Sequence, residues 1–146
     1  MTVTKMQATH VSAVAEIEKQ CFTEPWSEQA LGLLLTEDAA GVVCELDGAV
    51  VAYGGMIYSP FDAQITNVAV LPQYRRCGCG RAVLEALIAM ARARGVEEIS
   101  LEVRVSNEAA IALYRAEGFL TAGVRKGFYR HPTEDAAVML LTLSKQ

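Results

Sequence analysis

The sequence predicts one domain of a mixed α/β (α+β) fold, and three observations support this prediction. Two apolar runs, Gly41 to Leu46 and Ala49 to Tyr58, are separated only by Asp47-Gly48, a dipeptide typical of the tight turn between antiparallel strands. Residues 64–117 alternate between strand-like and helix-like periodicity, which indicates a βαβα centre. The chain has 146 residues, 52% of them hydrophobic, enough for one core without disulfides. We therefore expect a single domain over residues 1–146.

Four helices are predicted from apolar residues that recur with helical spacing. In the first, Val14, Ile17 and Cys21 lie on one stripe. Ser27 and Ser106 are the predicted N-caps of the second and fourth helices, because a serine hydroxyl accepts a hydrogen bond from a free N–H of the first turn. The predicted helices run from His10 to Phe22, from Ser27 to about Thr36, from about Gly80 to Arg94, and from Asn107 to Glu117.

Four further strands complete the predicted pattern. They run from Gln64 to Leu71, from Ile99 to Val105, from Phe119 to Val124 and from Ala136 to Leu143. Pro72 ends the first of them, because proline cannot donate to a strand ladder. In the second, apolar residues alternate with Ser100, Glu102 and Arg104, so the two sets lie on opposite faces. Glu102 is therefore expected mid-strand on the polar face.

Charge and hydropathy narrow the functional classes. The formal net charge is −4 and the pI is about 5.2, which argues against nucleic-acid binding because that requires a basic face. No stretch approaches the roughly 20 apolar residues of a membrane helix. Residues 1–5 lack the apolar run of a signal peptide. We therefore expect a cytoplasmic protein that binds neither nucleic acid nor membranes directly.

The cysteines are few and irregularly spaced, which favours free thiols in a reducing compartment. A structural zinc site needs about four ligands. The two histidines, His10 and His131, are far in sequence from the paired cysteines, so no metal is expected. The cysteines are Cys21, Cys44, Cys77 and Cys79.

The most informative segment is Arg75-Arg76-Cys77-Gly78-Cys79-Gly80-Arg81, which follows a strand and opens a helix. Its glycines allow backbone N–H groups to close around an anion, and the helix N-terminus and the arginines add positive charge. The segment therefore predicts a diphosphate cradle, although a helix-entry turn with solvated arginines explains the same residues. It is not a Walker loop, since no Gly-Lys-Ser/Thr follows. It is not a dinucleotide-binding loop, since Val83 replaces the third glycine.

Further motifs extend the pattern on both sides of this loop. They are Ile65-Thr66-Asn67-Val68-Ala69-Val70 before it, and Leu101-Glu102-Val103-Arg104, Ser106-Asn107, Leu113-Tyr114 and Gly118-Phe119 after it. Together with Arg75-x-x-Gly78-x-Gly80, they resemble the acetyl-CoA site of the GNAT superfamily of N-acetyltransferases. Pro25-Trp26-Ser27, Tyr129 and Glu134-Asp135-Ala136 are similar to its RimI group, the ribosomal-protein-alanine N-acetyltransferases. The resemblance covers nearly the whole chain.

The resemblance implies a GNAT fold, a strongly bent mixed sheet of about six to seven strands flanked by about four helices. Its fourth and fifth strands splay apart to form a cleft for acetyl-CoA. The implied partners of the pantetheine arm are the backbone of Val68, Ala69 and Val70 and the side chain of Asn107. The implied diphosphate site is Arg75, Arg76, Cys77, Gly78, Cys79, Gly80 and Arg81. The family more often has other residue types at the two cysteine positions, but only the backbone is needed there.

The same resemblance implies two catalytic residues. Glu102 corresponds to the general base, although its position alone favours a solvated carboxylate or one paired with an arginine such as Arg104. Tyr114 corresponds to the general acid, although a lone tyrosine on the same helix face as Asn107 also suits a core aromatic. The implied reaction is direct attack of a neutral amine on the thioester, with the Val68 N–H stabilising the oxyanion. No cysteine is needed as a nucleophile.

The implied acceptor is the N-terminal alanine of the eighteenth protein of the small ribosomal subunit. Phe22, Trp26 and Tyr129 are the candidate substrate contacts, although hydrophobic packing explains the same residues. Phe128 stands where the group often has the first of two tyrosines, which leaves Tyr129 to act. A monomer is the default expectation. Two alternatives remain open: a GNAT enzyme that acetylates a lysine, a polyamine or a small metabolite, and a non-catalytic acetyl-CoA-binding module.

Overall fold

The computed structural model describes residues 1–143, which form a seven-stranded sheet flanked by four α-helices. The strands are β1 (Thr2–Lys5), β2 (Ala39–Leu46), β3 (Ala49–Tyr58), β4 (Asp62–Val70), β5 (Glu98–Arg104), β6 (Leu120–Tyr129) and β7 (Glu134–Thr142). The helices are α1 (Val11–Cys21), α2 (Glu28–Leu31), α3 (Cys79–Arg94) and α4 (Glu108–Ala116). Residues 144–146, the end of the predicted domain, lie outside the described part. No helix within residues 1–143 is both long and apolar enough to span a membrane.

The strand order in the sheet is β1-β2-β3-β4-β5-β7-β6, and β4–β5 is the parallel pair in an otherwise antiparallel sheet. The β2–β3 turn has positive φ at both central residues, 51° at Asp47 and 80° at Gly48. Such a turn matches the twist of the flanking strands, which explains why Asp-Gly connects them. The predicted hairpin and the predicted mixed sheet are confirmed.

The parallel pair β4–β5 is short, and this opens the sheet at its centre. Pairing extends only from Asp62↔Glu98 to Gln64↔Ser100, and the rest of β4 has no partner on that side. The pairing of β3 with β4 skips one residue of β4. Gly55 of β3 opposes Asn67, and the next residue of β3, Met56, opposes Ile65, so Thr66 is an extra residue that forms a β-bulge. A bulge bends the strand that carries it. The predicted splay of the fourth and fifth strands is confirmed.

Helices cover both faces of the sheet. On one face, α3 and α4 contribute Leu87 and Tyr114 to the larger hydrophobic core. On the other face, Ile17 of α1 packs with Tyr53 of β3 in a second core. Gly54 lets α3 approach β3 closely, because a Cβ there would lie 2.6 Å from Val83 Cγ1. The two cores hold rigid the strands that border the central opening.

Two strands differ from the sequence-based expectation. β1 was not predicted, because Thr2–Lys5 is a short edge strand whose residues show no apolar alternation. The prediction that the penultimate strand ends at Val124 is wrong, since β6 continues to Tyr129. The polar stretch Arg125-Lys126-Gly127 suits a loop by composition, but an exposed edge strand tolerates such residues.

Two helix assignments also need correction. The predicted N-cap Ser106 is wrong: Asn107 is the N-cap of α4, and its Oδ1 accepts from the Ala110 N–H at 3.2 Å. The second predicted helix is α-helical only over Glu28–Leu31, after which Gly32–Leu35 continues as a 3₁₀ turn. Ser27 caps α2 as predicted, accepting from the Ala30 N–H at 3.1 Å.

Candidate active site

A concave loop precedes α3, and its backbone is arranged to bind an anion. Arg76 and Gly78 both have positive φ, 66° and 83°. None of the backbone N–H groups from residue 76 to residue 81 donates to a backbone acceptor within residues 1–143. Alternating left-handed residues with free N–H groups form an anion-binding nest, and the 16-residue α3 adds its dipole. The segment predicted as a diphosphate cradle therefore has the backbone conformation that an anion requires.

The side chains of this loop point in different directions. Arg75 lies beside the Cys21 thiol, 4.0 Å from Sγ. Arg81 forms ion pairs with Glu85 at 3.6 Å and with Glu117 at 3.3 Å. Its charge is therefore shared with two carboxylates.

The two loop cysteines also differ. Cys77 is exposed, whereas Cys79 is buried against Cys44 of β2. Burial, together with the hydrogen bond to Cys79, raises the pKa of the Cys44 thiol to about 11. All four cysteines of the chain are free thiols. No three His, Cys, Asp or Glu side chains within residues 1–143 are grouped as metal ligands.

We expect Gly80→Val to weaken acetyl-CoA binding by at least about tenfold, the cost of roughly one charge-assisted hydrogen bond. A Cβ at Gly80 would lie 3.3 Å from Val70 Cγ2 and 3.5 Å from Leu113 Cδ2, so the larger valine side chain crowds β4 and α4 and should displace the loop that forms the nest. Isothermal calorimetry measures the affinity. Gly123→Val on β6 is the matched control, because a Cβ there meets nothing within 4 Å. Unchanged affinity in folded Gly80→Val would remove the cradle assignment.

The bulged half of β4 presents backbone groups to the central opening. Leu71 N–H donates to Val51 O at 2.9 Å, and hydrogen-bonded residues alternate along an antiparallel pair. The N–H and C=O groups of Ala69 therefore point toward β3. Those of Val68 and Val70 point away from β3, toward the central opening. The Cys21 thiol donates to Val70 O at 3.3 Å from the open side, which agrees with this orientation.

A cleft of about 690 Å³ occupies the opening between β4 and β5. It is bordered by the α1–α2 loop, β4, β5, α4 and the β6–β7 loop. Seven predicted site residues line it together: Phe22, Trp26, Val68, Glu102, Asn107, Tyr114 and Tyr129. Ala69, Val70 and the loop from Arg75 to Arg81 lie outside this lining. The structure thus brings the predicted catalytic and acceptor residues into one cleft, with the nest outside it.

Glu102 is fixed in this cleft by two hydrogen bonds. Its Oε2 lies 2.7 Å from Arg125 Nη1 of β6, and its Oε1 accepts from Gln64 Nε2 of β4 at 2.8 Å. Its side chain is 12% exposed. Arg104 instead pairs with Glu134 at 3.2 Å, so the suggested Arg104 partner for Glu102 is wrong. The reason is geometric: Arg104 turns toward the β6–β7 loop and stacks on the Tyr129 ring at 4.5 Å.

Two tyrosines of the cleft keep their protons far above neutral pH. Tyr114 is buried and packs edge-on against Phe119, with ring centroids 5.8 Å apart. Burial, with a smaller contribution from Tyr129, raises the pKa of Tyr114 above its usual range. Burial and the Glu102 carboxylate raise the pKa of Tyr129 to about 12. Both phenols are therefore available as proton donors at neutral pH.

Asn107 has one polar group engaged and one available. Its Oδ1 caps α4, but its Nδ2 has no hydrogen-bond acceptor in the described part of the chain. Since Asn107 lines the cleft, this amide can donate to a group bound there.

The side of the cleft where the predicted acceptor contacts lie is formed by two loops that approach each other. Phe22 and Trp26 come from the α1–α2 loop, and Tyr129 from the end of β6. Across the cleft, Glu24 Oε1 lies 3.5 Å from His131 Nε2. Both side chains are largely exposed, so this pair contributes little to stability.

Several residues of the site were not predicted from the sequence. Gln64 and Arg125 hold Glu102, and Glu18, Tyr53 and Asn67 form a polar network beside the cleft. Glu18 alone carried a signal, since it is a charged residue seven positions after Val11 on the apolar stripe of α1. The others depend on contacts between strands that a single sequence does not define.

Comparison of the sequence with known proteins identifies the family. Residues 11–119 match the acetyltransferase (GNAT) family. The chain belongs to this family.

The relatives of this GNAT acetyltransferase extend over its full length. The ribosomal protein bS18-alanine N-acetyltransferase of Escherichia coli (strain K12) is 37% identical over 147 residues, which cover 98% of each protein. The N-alpha-acetyltransferase RimI of Mycobacterium tuberculosis is 34% identical and covers 95% of this chain and 90% of its own. The crystal structure of the Escherichia coli ribosomal-protein-S18-alanine N-acetyltransferase matches with a TM-score of 0.91 at 36% identity, over 99% of this chain and 95% of that one.

These findings confirm the family resemblance and the GNAT fold expected from the sequence. They also confirm the expected enzyme class, an acyltransferase acting on nitrogen. The splayed strands and the central cleft are the parts of this fold that the sequence motifs predicted.

Proposed function

We propose that the protein acetylates the α-amino group of an N-terminal alanine in a protein of the small ribosomal subunit, with acetyl-CoA as donor. The observation that carries this proposal is the single cleft in which Glu102, Tyr114 and the free backbone of Val68 converge. The full-length similarity to bS18-alanine N-acetyltransferases supports the choice of acceptor. Acetyl-CoA and newly made ribosomal proteins meet in the cytoplasm, where we place the reaction.

The residues present fit acetyl-CoA. The nest at residues 76–81 offers free N–H groups to a diphosphate. Along the cleft, the outward-facing backbone of Val68 and Val70 offers donors and acceptors to an extended amide chain. The free Nδ2 of Asn107 lies on the opposite wall. When bound, acetyl-CoA would supply the acyl thioester that the amine attacks.

Glu102 is the proposed general base. An α-amino group has a pKa of ~7.7–8.0, so a carboxylate can remove its proton at modest cost, directly or through one water. Arg125 and Gln64 fix the carboxylate in one position, which lowers the entropic cost of reaching a productive geometry. The freed nitrogen lone pair forms the new N–C bond while the C–S bond breaks.

Val68 and Tyr114 are proposed to act on the other two atoms of the reaction. The Val68 N–H faces the open side of β4, where it can stabilise negative charge on the carbonyl oxygen. Tyr114 can deliver its proton to the departing sulfur, because its raised pKa keeps it protonated until that step. The protonated amine loses two protons in all: Glu102 passes the first to solvent before the attack, and the second, released as the new N–C bond forms, replaces the proton that Tyr114 gives to the thiolate.

The acceptor side favours a peptide N-terminus. Phe22, Trp26 and Tyr129 form aromatic walls around the entrance, which suit a small first side chain followed by an extended backbone. A lysine amine, with a pKa of ~10.4, is harder to deprotonate by roughly 2.5 pKa units. The net charge of −4 mildly favours a basic peptide through long-range attraction.

We expect a peptide with a free N-terminal alanine and basic residues after it to be acetylated once, on the α-nitrogen. The control is the same peptide with a blocked N-terminus and free lysines, which should be nearly inert. Mass spectrometry with fragmentation locates the acetyl group. Acetylation on lysine, or equal turnover of the blocked peptide, would contradict an N-terminal acceptor while leaving the acetyltransferase activity in place.

A further inference from the structure

Glu18 is the one buried charged residue in residues 1–143, with 0% exposure. Its Oε1 accepts from the Trp26 backbone N–H at 2.8 Å. Its Oε2 accepts from Tyr53 Oη at 2.5 Å and from Asn67 Nδ2 at 3.0 Å. These donors belong to the α1–α2 loop, β3 and β4, so one carboxylate joins three separate elements to α1.

Burying the Glu18 carboxyl group lowers the stability of the fold, so its presence indicates a role other than packing. Burial raises the pKa of Glu18, and the three donors lower it by smaller amounts. An apolar side chain would fill the same space beside Ile17 without desolvating a carboxyl group. Packing α1 onto the sheet therefore does not by itself require Glu18.

The bonds of Glu18 meet at the acceptor side of the cleft. Trp26 is a wall of that cleft, and Asn67 immediately precedes Val68, whose backbone faces the thioester in the proposed reaction. Across the cleft, the loop from residue 22 to residue 27 also forms the exposed Glu24–His131 pair. The part-buried bond from Trp26 to Glu18 ties this loop to α1 and, through the bond of the same carboxylate to Asn67, to β4.

We propose that Glu18 is a positioning residue for the acceptor peptide, whose carboxylate holds the α1–α2 loop at a fixed distance from β4. The proposal rests on the proposed function, because it concerns the peptide that the cleft receives. Glu18 does not touch the reacting atoms. Its role is to keep the wall at Trp26 in place before the peptide arrives, so that binding does not have to order the loop.

The first test needs no substitution. The Trp26 amide should exchange with solvent at least about tenfold more slowly than the Thr23 and Glu24 amides in the wild-type protein, because protection requires a persistent bond. Exchange of individual amides is followed by NMR. An unprotected Trp26 amide would overturn the proposal, whatever the substrate of the enzyme proves to be.

The second test uses two substitutions that separate the hydrogen bond from the charge. Glu18→Leu fills the volume but removes every acceptor oxygen, whereas Glu18→Gln keeps one oxygen for the Trp26 N–H. We expect Glu18→Leu to raise the KM for the N-terminal alanine peptide about 10- to 100-fold, the value of a hydrogen bond to a charged group, with kcat and acetyl-CoA affinity within about twofold of wild type. Glu18→Gln should recover most of the loss. Glu16→Leu is the matched control, since Glu16 is exposed on the same helix.

Trp26 also reports the loop position directly, because it is the only tryptophan in the chain. In Glu18→Leu its fluorescence should shift to longer wavelength and become more accessible to a quencher, with little change in Glu18→Gln or Glu16→Leu. An equal rise in the peptide KM in Glu18→Leu and Glu18→Gln, or a fall in kcat at unchanged KM, would overturn the positioning role. If no variant, including wild type, acetylates the peptide, the proposed function fails, and exchange and fluorescence still decide the role of Glu18.

Discussion

Glu102→Gln should lower kcat/KM for an N-terminal alanine peptide by about 10²–10⁴-fold at neutral pH, the usual cost of losing a general base. Glutamine keeps the shape of the side chain and can still bond Gln64, so the fold and acetyl-CoA affinity should be retained. The deficit should shrink as pH rises past ~8, because the acceptor amine then loses its proton without help. Steady-state kinetics from pH 6 to pH 9.5 measure both effects.

Two controls separate the base from its ion pair. Arg125→Gln breaks the same ion pair but leaves the carboxylate, so it should cost far less than Glu102→Gln. Glu98→Gln removes a carboxylate at the start of the same strand, outside the cleft, and should leave the kinetics unchanged. An Arg125→Gln deficit as large as that of Glu102→Gln would mean that the ion pair, rather than proton removal, accounts for the loss.

Tyr114→Phe should lower kcat by about 10²–10⁴-fold with little change in acetyl-CoA affinity, because only the proton donor is removed. The ring contact with Phe119 stays, so stability should be nearly unchanged. In the wild type, the raised pKa of Tyr114 keeps the phenol protonated past its ordinary value near ~10, so kcat should not decline up to pH 9.5. Single-turnover kinetics and calorimetry measure rate and affinity.

The matched control is Tyr58→Phe, because the Tyr58 ring lies under Arg94 and does not line the cleft. Tyr129→Phe tests the second phenol, which stands near both Glu102 and Tyr114. If Tyr129→Phe shows the kcat loss and Tyr114→Phe does not, the general acid is Tyr129. A collapse of acetyl-CoA affinity in Tyr114→Phe at unchanged kcat would make Tyr114 a binding residue.

Local patterns in the sequence were sufficient for much of the fold and for the backbone conformation of the loop before α3. The Asp47-Gly48 turn, the glycines around Cys79 and the alternation that places Glu102 on the polar face of β5 all depend on neighbours in the chain. Each is a statement about backbone conformation or strand face, which local sequence determines. These are the predictions that the fold confirmed.

Contacts between distant segments could not be predicted in the same way. Arg125 reaches Glu102 only because β6 continues past Val124 along the sheet edge, and that extension has no apolar signature. Glu18 meets Tyr53 and Asn67 because two strands and a helix converge on one point. Arg104 was a reasonable partner for Glu102 by proximity in sequence, but the strand pleat and the β6–β7 loop direct it to Glu134.

The edge position of β6 has a consequence for how the protein behaves in crowded solution. A long exposed edge is a template on which further chains can add as strands. β6 is exposed along all of its length except Tyr129, which is half-buried, yet its register shifts twice, between Thr121 and Gly123 and between Arg125 and Tyr129. An incoming strand cannot follow such an edge in continuous register, and Lys126 adds charge to it. We therefore expect the edge that carries Arg125, the partner of the proposed base, to resist strand addition by a second copy of the chain.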